Sequence, residues 1–263
     1  MAISLESISR NRAQKAPRIV LYGVQGIGKT EWAVGNPKRG QVGAPAPVVQ
    51  PVEDGLTNLN HVDAFPLVKS YSEAIEGLGV LYSGAHEFQT LVVDTLDWLE
   101  RLIWDHTAKA HGKQSIEDFG YGKGYVEAVR YWRDYIEGLD ALRNDKNMTI
   151  ILIAHCGIKR FNDPLNEPYD QYKIKLHESA AGLFQEWADC VFFANEQTVT
   201  QKTDVGFKKT VNRGVTTGQR LIHTTQSPAY YAKNRFSLPT TLDLNWQAFS
   251  DALSPSAPDQ IPY

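Results

Sequence analysis

The sequence predicts an α/β fold in which helices flank a mostly parallel sheet. Apolar runs of strand length recur at residues 17–22, 47–52, 90–93 and 148–154, and segments of helical periodicity separate them. This alternation is typical of parallel strands joined by crossover helices. A glycine-rich loop follows the first run directly. Ligands of open α/β sheets bind at the carboxyl ends of strands, so we expect the functional site there.

Composition narrows the class of protein. The chain has 263 residues, of which 42% are hydrophobic and 22% are charged, enough for one domain with a substantial core and incompatible with disorder throughout. The formal charge of -3 excludes a polycation, so any affinity for nucleic acid must come from local patches. Cys156 and Cys190 offer no disulfide framework or zinc ribbon, which favours a reducing, intracellular setting.

No segment predicts export or membrane insertion. The first ten residues lack an apolar signal core, and the longest apolar run, residues 148–154, is far too short to span a bilayer. We therefore expect a cytoplasmic protein without a membrane partner.

One domain is expected, from residue 17 to residue 250. Residues 1–16 are polar and form either an extended arm or a frayed terminus, and residues 251–263 are rich in proline and predict a flexible tail. Residues 125–142 carry one apolar helical face. Short β-rich segments between 190 and 224 predict hairpins that extend the sheet.

Residues 23–30 fit the pattern G-x-x-x-x-G-K-[ST], with an apolar strand before them and a helical segment after them. In such a loop successive backbone N–H groups surround a phosphate, the lysine binds the β- and γ-phosphates, and the hydroxyl binds Mg²⁺. The predicted nucleotide-binding residues are Gly23, Val24, Gln25, Gly26, Ile27, Gly28, Lys29, Thr30 and Glu31.

Three further side chains follow apolar strands and belong to the same candidate site. Asp94 is predicted to hold Mg²⁺ together with Thr30, the alternative being a cap of the next helix. Glu53 could activate the attacking water, or be an idle solvated carboxylate. His155 could detect the γ-phosphate, or simply bond to a neighbouring carbonyl.

Two segments combine cations, aromatic rings and glycines, as contacts to unpaired DNA require. Residues 157–164 supply Lys159, Arg160 and Phe161, and residues 119–125 supply Tyr121 and Lys123. Each segment could instead be a simple connection. Residues 196–236 also hold seven Lys or Arg against two acids, and no motif for base-specific reading is evident.

Together these residues resemble the core of RecA-type recombinases, and most closely the small phage-encoded ATP-binding single-strand annealing proteins. The resemblance runs from about residue 16 to residue 244. Residues 52–56 look like the segment that delivers the catalytic glutamate, here Glu53. Residues 151–155 look like the strand that ends in the γ-phosphate sensor, where the family commonly has glutamine and this chain has His155.

Residues 232–239 are similar to the Lys-Asn-Lys stretch with which a recombinase protomer reaches the ATP of its neighbour. The resemblance therefore implies that Lys233 and Arg235 bind nucleotide in trans, and that the chain forms a homo-oligomer, either a filament or a ring. It further implies a RecA-like P-loop core with a C-terminal β-hairpin extension, and ATP and Mg²⁺ as cofactors.

The function implied is ATP-binding, Mg²⁺-dependent DNA recombination. The protein would assemble on single-stranded DNA, promote annealing or strand exchange with slow DNA-stimulated ATP turnover, and act in the bacterial host of a phage. Alternatives are a P-loop ATPase of the helicase-loader or phage-packaging type, a small-molecule kinase, and a non-catalytic nucleotide-binding scaffold. Residues 258–263 look like the C-terminus of bacterial single-stranded-DNA-binding proteins and predict either docking on a replication partner or a plain disordered end.

Overall fold

The computed structural model describes residues 15–204 and 210–254, and of residues 200–204 and 210–215 it describes the backbone alone. The predicted N-terminal arm up to residue 14 and the tail from residue 255 lie outside the described residues.

Ten strands are present in the described part of the chain. They are β1 (Arg18–Gly23), β2 (Pro47–Pro51), β3 (Asp63–Ala64), β4 (Thr90–Asp94), β5 (Thr149–Phe161), β6 (Tyr169–Ile174), β7 (Cys190–Asp204), β8 (Thr210–His223), β9 (Lys233–Asn234) and β10 (Thr241–Asp243). The main sheet runs in the order β10-β8-β7-β1-β5-β4-β2-β3. Its strands from β7 to β3 are parallel, and β8 and β10 extend one edge in antiparallel pairing. The predicted α/β class with a mostly parallel sheet is confirmed.

Helices cover both faces of this sheet. They are α1 (Lys29–Val34), α2 (Tyr71–Ser83), α3 (Leu96–Ala110), α4 (Lys123–Lys146), α5 (Glu178–Trp187) and α6 (Trp246–Leu253). Short 3-10 turns cover Pro37–Arg39 and Ile116–Phe119. The last helix continues three residues into the predicted tail. None of the helices in the described ranges is both long enough and apolar enough to cross a membrane.

The central strand β1 is buried on both faces, as its continuous apolar sequence requires. Val20 and Tyr22 point into a core formed with α2, α3, α4 and α5. Ile19 and Leu21 point to the opposite core, which α1 and α6 cover. Side chains alternate between the faces of a strand, so this one strand fixes the positions of both helical layers relative to the loop that follows Gly23.

The strand β5 is longer than predicted. Residues 157–161 continue the strand and pair with Tyr169–Ile174 in an antiparallel hairpin, from Cys156 opposite Ile174 to Phe161 opposite Tyr169. The expectation of a loop over residues 157–164 is therefore wrong for residues 157–161. Lys159, Arg160 and Phe161 lie on a strand because β6 supplies backbone partners that sequence periodicity could not reveal. We call β5 from Cys156 onward together with β6 the β5–β6 hairpin.

A buried carboxyl group joins α3 to the segment between this hairpin and α5. Glu100 is only 4% exposed, and its carboxyl oxygens accept the backbone N–H of His177 at 2.9 and 3.1 Å. Burial raises the pKa of Glu100 to about 7, and the nearby Asp97 adds to this increase while the His177 N–H and Lys159 oppose it. The folded protein therefore retains a proton on Glu100 at pH values where the unfolded chain releases it.

We predict that this group makes the protein less stable as the pH rises. Since the folded pKa lies above the unfolded value, the free energy of unfolding falls between about pH 4.5 and pH 7 and then stays level with respect to this group. Glu100→Gln cannot ionise, so it should shrink the fall in unfolding free energy between pH 5 and pH 8 by on the order of 2 kcal/mol. Urea unfolding of both proteins at the two pH values measures this.

The exposed Glu127→Gln on α4 serves as the control and should keep the wild-type pH profile. An unchanged pH dependence in Glu100→Gln would show that Glu100 ionises in the folded protein as it does in the unfolded chain.

Candidate functional site

The carboxyl ends of four neighbouring parallel strands meet at one edge of the sheet. Gly23 ends β1 and lies opposite His155 on β5, while Asp94 ends β4 and lies opposite Ile153. Glu53 follows β2 by two residues. A cavity of about 290 Å³ opens there, lined by residues of the glycine-rich loop together with Arg39, Glu53, Gly55, Asn58, Leu59, Asp94, Thr95, Ile153, His155 and Arg220. The sequence-predicted Lys29, Thr30, Glu31, Glu53, Asp94 and His155 therefore come together in a single site.

The loop at residues 23–30 has the backbone that its glycines predict. Gly28 has a φ of 105° immediately before α1, in a region that L side chains rarely adopt. Gly23 lies so close to the Ala194 carbonyl of β7 that a Cβ there would collide with it. Both positions require glycine, one for conformation and one for space, so the loop returns tightly over the end of β1.

The side chain of Lys29 lies beneath this loop and is only 6% exposed. Its Nζ donates to the backbone carbonyls of Gly23 at 3.2 Å and Val24 at 2.9 Å. Burial lowers the pKa of Lys29, whereas the nearby carboxylates, Asp94 foremost, work to keep the ammonium charged. The loop thus holds a positive charge at its centre, suited to the terminal phosphates of a nucleotide.

Thr30 and Asp94 place two oxygens side by side. The Thr30 hydroxyl donates to Asp94 Oδ2 at 2.7 Å, and Asp94 is 4% exposed. Burial raises the pKa of Asp94, and the Thr30 hydrogen bond and Lys29 oppose that increase. A hydroxyl and a carboxylate fit Mg²⁺, which takes one or two protein oxygens beside phosphate and water. An added divalent cation would also offset the cost of the buried carboxylate, so the predicted ligand pair fits the ion.

His155 is held between two carboxylates. Its Nδ1 lies 3.0 and 3.1 Å from the carboxyl oxygens of Asp97, and its backbone N–H donates to the same group at 3.0 Å. Its Nε2 lies 3.9 Å from Glu53 Oε1. Burial works to raise the pKa of Asp97, but the hydrogen bonds from His155 outweigh it and lower that pKa. Asp97 therefore fixes the ring with Nδ1 as donor and Nε2 facing Glu53.

The surroundings of Glu53 make its carboxylate a stronger base than an exposed glutamate. Burial raises its pKa, and the Asp94 carboxylate adds to the increase, while His155 and Lys29 oppose it. A carboxylate with a raised pKa takes a proton more readily at neutral pH. The position of Glu53 on the cavity wall thus suits the activation of a water molecule.

Sequence reasoning missed two arginines and Asp97. Arg220 on β8 donates to the Ile27 carbonyl at 3.0 Å and so contacts the glycine-rich loop. Arg39 bonds to Glu31 at 3.0 Å. Asp97 carried a sequence signal, since it sits in the first turn of a helix after Asp94, but that position suggested only a helix cap. No local signal could have found Arg220, because its contact spans 193 residues of sequence.

Lys233 and Arg235 lie away from the cavity, at the opposite end of the sheet. Lys233 donates to the carbonyls of Gln185 and Glu186 at the end of α5, both at 2.8 Å. Arg235 bonds to Asp189 at 3.3 Å, beside Arg18 at the start of β1. Gly23 lies five positions after Arg18 on β1, a distance of about 16 Å at the usual rise of a strand. These contacts argue against a role for Lys233 and Arg235 at the nucleotide of their own chain, and the trans role stays a prediction.

The predicted DNA-contacting side chains are accessible to different degrees. Tyr121 is fully exposed at the turn before α4, which begins at Lys123. On the hairpin, Arg160 faces Asp170 at 3.8 Å, and the Phe161 ring lies under the Lys173 ammonium at 5.0 Å. Lys159 reaches the Leu176 carbonyl at 3.4 Å.

One family model of known proteins matches most of the chain. The family model AAA_24, described as an AAA domain, matches residues 15–236. A solved structure of the RadB recombinase resembles the chain with a TM-score of 0.48 and 14% identity, covering 89% of this chain and 90% of that one. None of the curated proteins matches. The matched span includes the glycine-rich loop, Glu53, Asp94 and His155. The chain therefore belongs to the AAA_24 family of AAA domains, with a P-loop built for a nucleotide.

Proposed function

We propose that the protein is an ATP- and Mg²⁺-dependent DNA-recombination protein. It assembles on single-stranded DNA, binds ATP between adjacent protomers, and promotes annealing or strand exchange. ATP acts chiefly as a ligand that favours the DNA-binding assembly, and its turnover loosens that assembly.

The observation that supports this proposal is the course of β5. The strand carries His155 at the nucleotide cavity and continues without a break into the β5–β6 hairpin, where Lys159 follows four residues later. A strand rises about 3.3 Å per residue, so the two residues are separated by roughly 13 Å of continuous strand. A change at His155 would therefore have a direct route to Lys159 on the β5–β6 hairpin.

The roles of the site residues follow from their contacts. Lys29 and the loop amides would hold the terminal phosphates, and Thr30 and Asp94 would hold Mg²⁺, which would neutralise phosphate charge. Glu53 orients the attacking water and accepts its proton. His155, fixed by Asp97, presents Nε2 to the space beside Glu53 and so distinguishes a bound γ-phosphate from its absence.

Binding between protomers is supported by the location of Lys233 and Arg235. Neither can reach the loop of its own chain, yet Arg235 remains 52% exposed at the other end of the sheet. In a head-to-tail assembly this end would face the cavity of the next protomer. Cations supplied there would stabilise the charge of the terminal phosphate in trans, as an arginine finger does.

Removal of the P-loop ammonium tests the nucleotide dependence. Lys29→Ala should abolish the increase in DNA affinity that Mg·ATP produces, because the terminal phosphates lose their buried cation. Fluorescence anisotropy of a labelled oligo(dT), with and without Mg·ATP, measures it. Lys38→Ala, an exposed lysine nearby, is the control. An ATP response in Lys29→Ala equal to that of wild type would refute the proposal.

Substitution of Glu53, the candidate general base, distinguishes ATP-dependent DNA binding from ATP hydrolysis. Glu53→Gln should keep ATP-dependent DNA binding and lower the DNA-stimulated rate of ATP hydrolysis by about 100-fold or more, since proton acceptance is lost and shape is kept. Phosphate release assays measure the rate, with the exposed neighbour Asp54→Asn as control. Turnover that is unaffected by Glu53→Gln would assign the base elsewhere. If single-stranded DNA does not change the rate of ATP hydrolysis by the wild type, another class of P-loop ATPase would be favoured instead.

A mixing experiment tests the trans contact. Lys29→Ala and Lys233→Ala should each be inactive alone, but a mixture should recover ATPase activity, because random head-to-tail assembly pairs an intact loop with an intact Lys233 at about a quarter of the interfaces. The control mixture of Lys29→Ala and Glu53→Gln should recover none, since both residues act in one chain. Absence of recovery in the first mixture would contradict binding between protomers.

A further inference from the structure

A second cavity of about 360 Å³ opens beside the nucleotide cavity, between α3, the start of α4 and the β5–β6 hairpin. We call it the hairpin pocket. Its lining consists of Asp97, Glu100, Arg101, Trp104, Tyr125, Gly157, Ile158, Lys159, Lys175, Leu176 and His177.

The pocket joins the two segments that the sequence predicted separately as DNA contacts. Tyr125 belongs to the glycine-rich segment 119–125, and Gly157, Ile158 and Lys159 belong to the segment 157–164. The two segments are more than thirty residues apart in sequence, yet residues of both line the same pocket. Of the residues predicted to contact DNA, Lys159 lines the pocket and Tyr121, Lys123, Arg160 and Phe161 do not. The meeting of the two segments favours one binding site around Lys159 and Tyr125.

The walls are apolar and partly aromatic. The Trp104 and Tyr125 rings meet edge to face at 5.1 Å, and the Tyr125 ring stacks on His177 at 4.3 Å with an angle of 9° between their planes. Ile158 borders the pocket while remaining 63% exposed. Flat rings and an unpartnered aliphatic side chain suit a planar ligand that stacks, and a space of this size accommodates a nucleobase.

Cations line the same pocket. Arg101, Lys159 and Lys175 all border it, and within the described residues none of the three forms an ion pair. The two acids of the lining are already engaged, Asp97 by His155 and Glu100 by the His177 N–H. An apolar interior beside uncompensated cations is complementary to a base that carries a phosphate on each side.

We propose that the hairpin pocket receives one unpaired nucleobase of the bound single strand, stacked against Trp104 and Tyr125, with its flanking phosphates on Arg101, Lys159 and Lys175. This inference rests on the proposed function and assigns its DNA site. Asp97 lines this pocket and also bonds to His155, which lines the nucleotide cavity, so one carboxylate connects the two cavities.

The test compares two labelled oligonucleotides of equal length and charge, oligo(dT) and an abasic strand, with the full chain and Mg·ATP. Wild type should bind oligo(dT) more tightly. Trp104→Ala should weaken binding to oligo(dT) by about fivefold or more, as the loss of one stacking contact does, and leave abasic binding unchanged. Anisotropy titrations measure all four affinities.

Two milder variants accompany it. Ile158→Ala removes an exposed side chain of the pocket. It should weaken binding to oligo(dT) but not to the abasic strand, by a smaller factor than Trp104→Ala does. Leu165→Ala is the matched control, because Leu165 is 89% exposed in the turn of the same hairpin and lies outside the pocket lining. It should bind both strands as wild type does.

The outcomes separate this inference from the proposed function. If wild type binds both strands and neither Trp104→Ala nor Ile158→Ala changes the preference for oligo(dT), the pocket takes no base and single-strand binding stands. If Ile158→Ala binds oligo(dT) and the abasic strand more weakly by the same factor, the proposal of a base pocket is likewise overturned. If wild type binds neither strand, both the pocket and the proposed function fall.

Discussion

The arrangement of the candidate site depends on how the protein offsets the repulsion between three carboxylates at one edge of the parallel sheet. Glu53, Asp94 and Asp97 all lie within the same largely buried region, where carboxylates repel one another strongly. Each is compensated in a different way: Asp94 by the Thr30 hydroxyl and Lys29, Asp97 by two hydrogen bonds from His155, and Glu53 by a raised pKa. A magnesium nucleotide bound as proposed would add positive charge beside Asp94 and negative charge beside Lys29, and would therefore change the charge balance of the whole edge.

Parallel topology is what brings these groups together. The strands β1, β2, β4 and β5 are contributed by distant parts of the chain, and their carboxyl ends lie at the same level of the sheet. There β1 leads into the glycine-rich loop, while β2, β4 and β5 lead to Glu53, Asp94 and His155. Of these four strands, β5 alone continues beyond that level, because β6 pairs with its second half. The cavity and the hairpin consequently share one continuous strand, which would connect a nucleotide bound at the cavity with the surface proposed for DNA.

Much of the site was predictable because its signals are local. The P-loop spacing, the apolar strand before Asp94 and the strand before His155 all lie within short windows of sequence, and the rule that parallel strands end at one edge places them together. The missed features depend on long-range pairing. Arg220 reaches Ile27 across the sheet, and the strand character of residues 157–161 depends on β6. Asp97 had the right position but an ambiguous meaning, since an acid in the first helical turn ordinarily serves the helix itself.

The most direct test is whether a nucleotide bound at the P-loop slows amide hydrogen exchange along β5. Hydrogen–deuterium exchange of Glu53→Gln, with and without Mg·ATP and in the absence of DNA, measures this at individual peptides. Coupling along β5 predicts slower exchange both in residues 23–30 and in the hairpin residues 156–161. Slower exchange confined to the loop, with the hairpin unchanged, would contradict the coupling on which the proposed function rests.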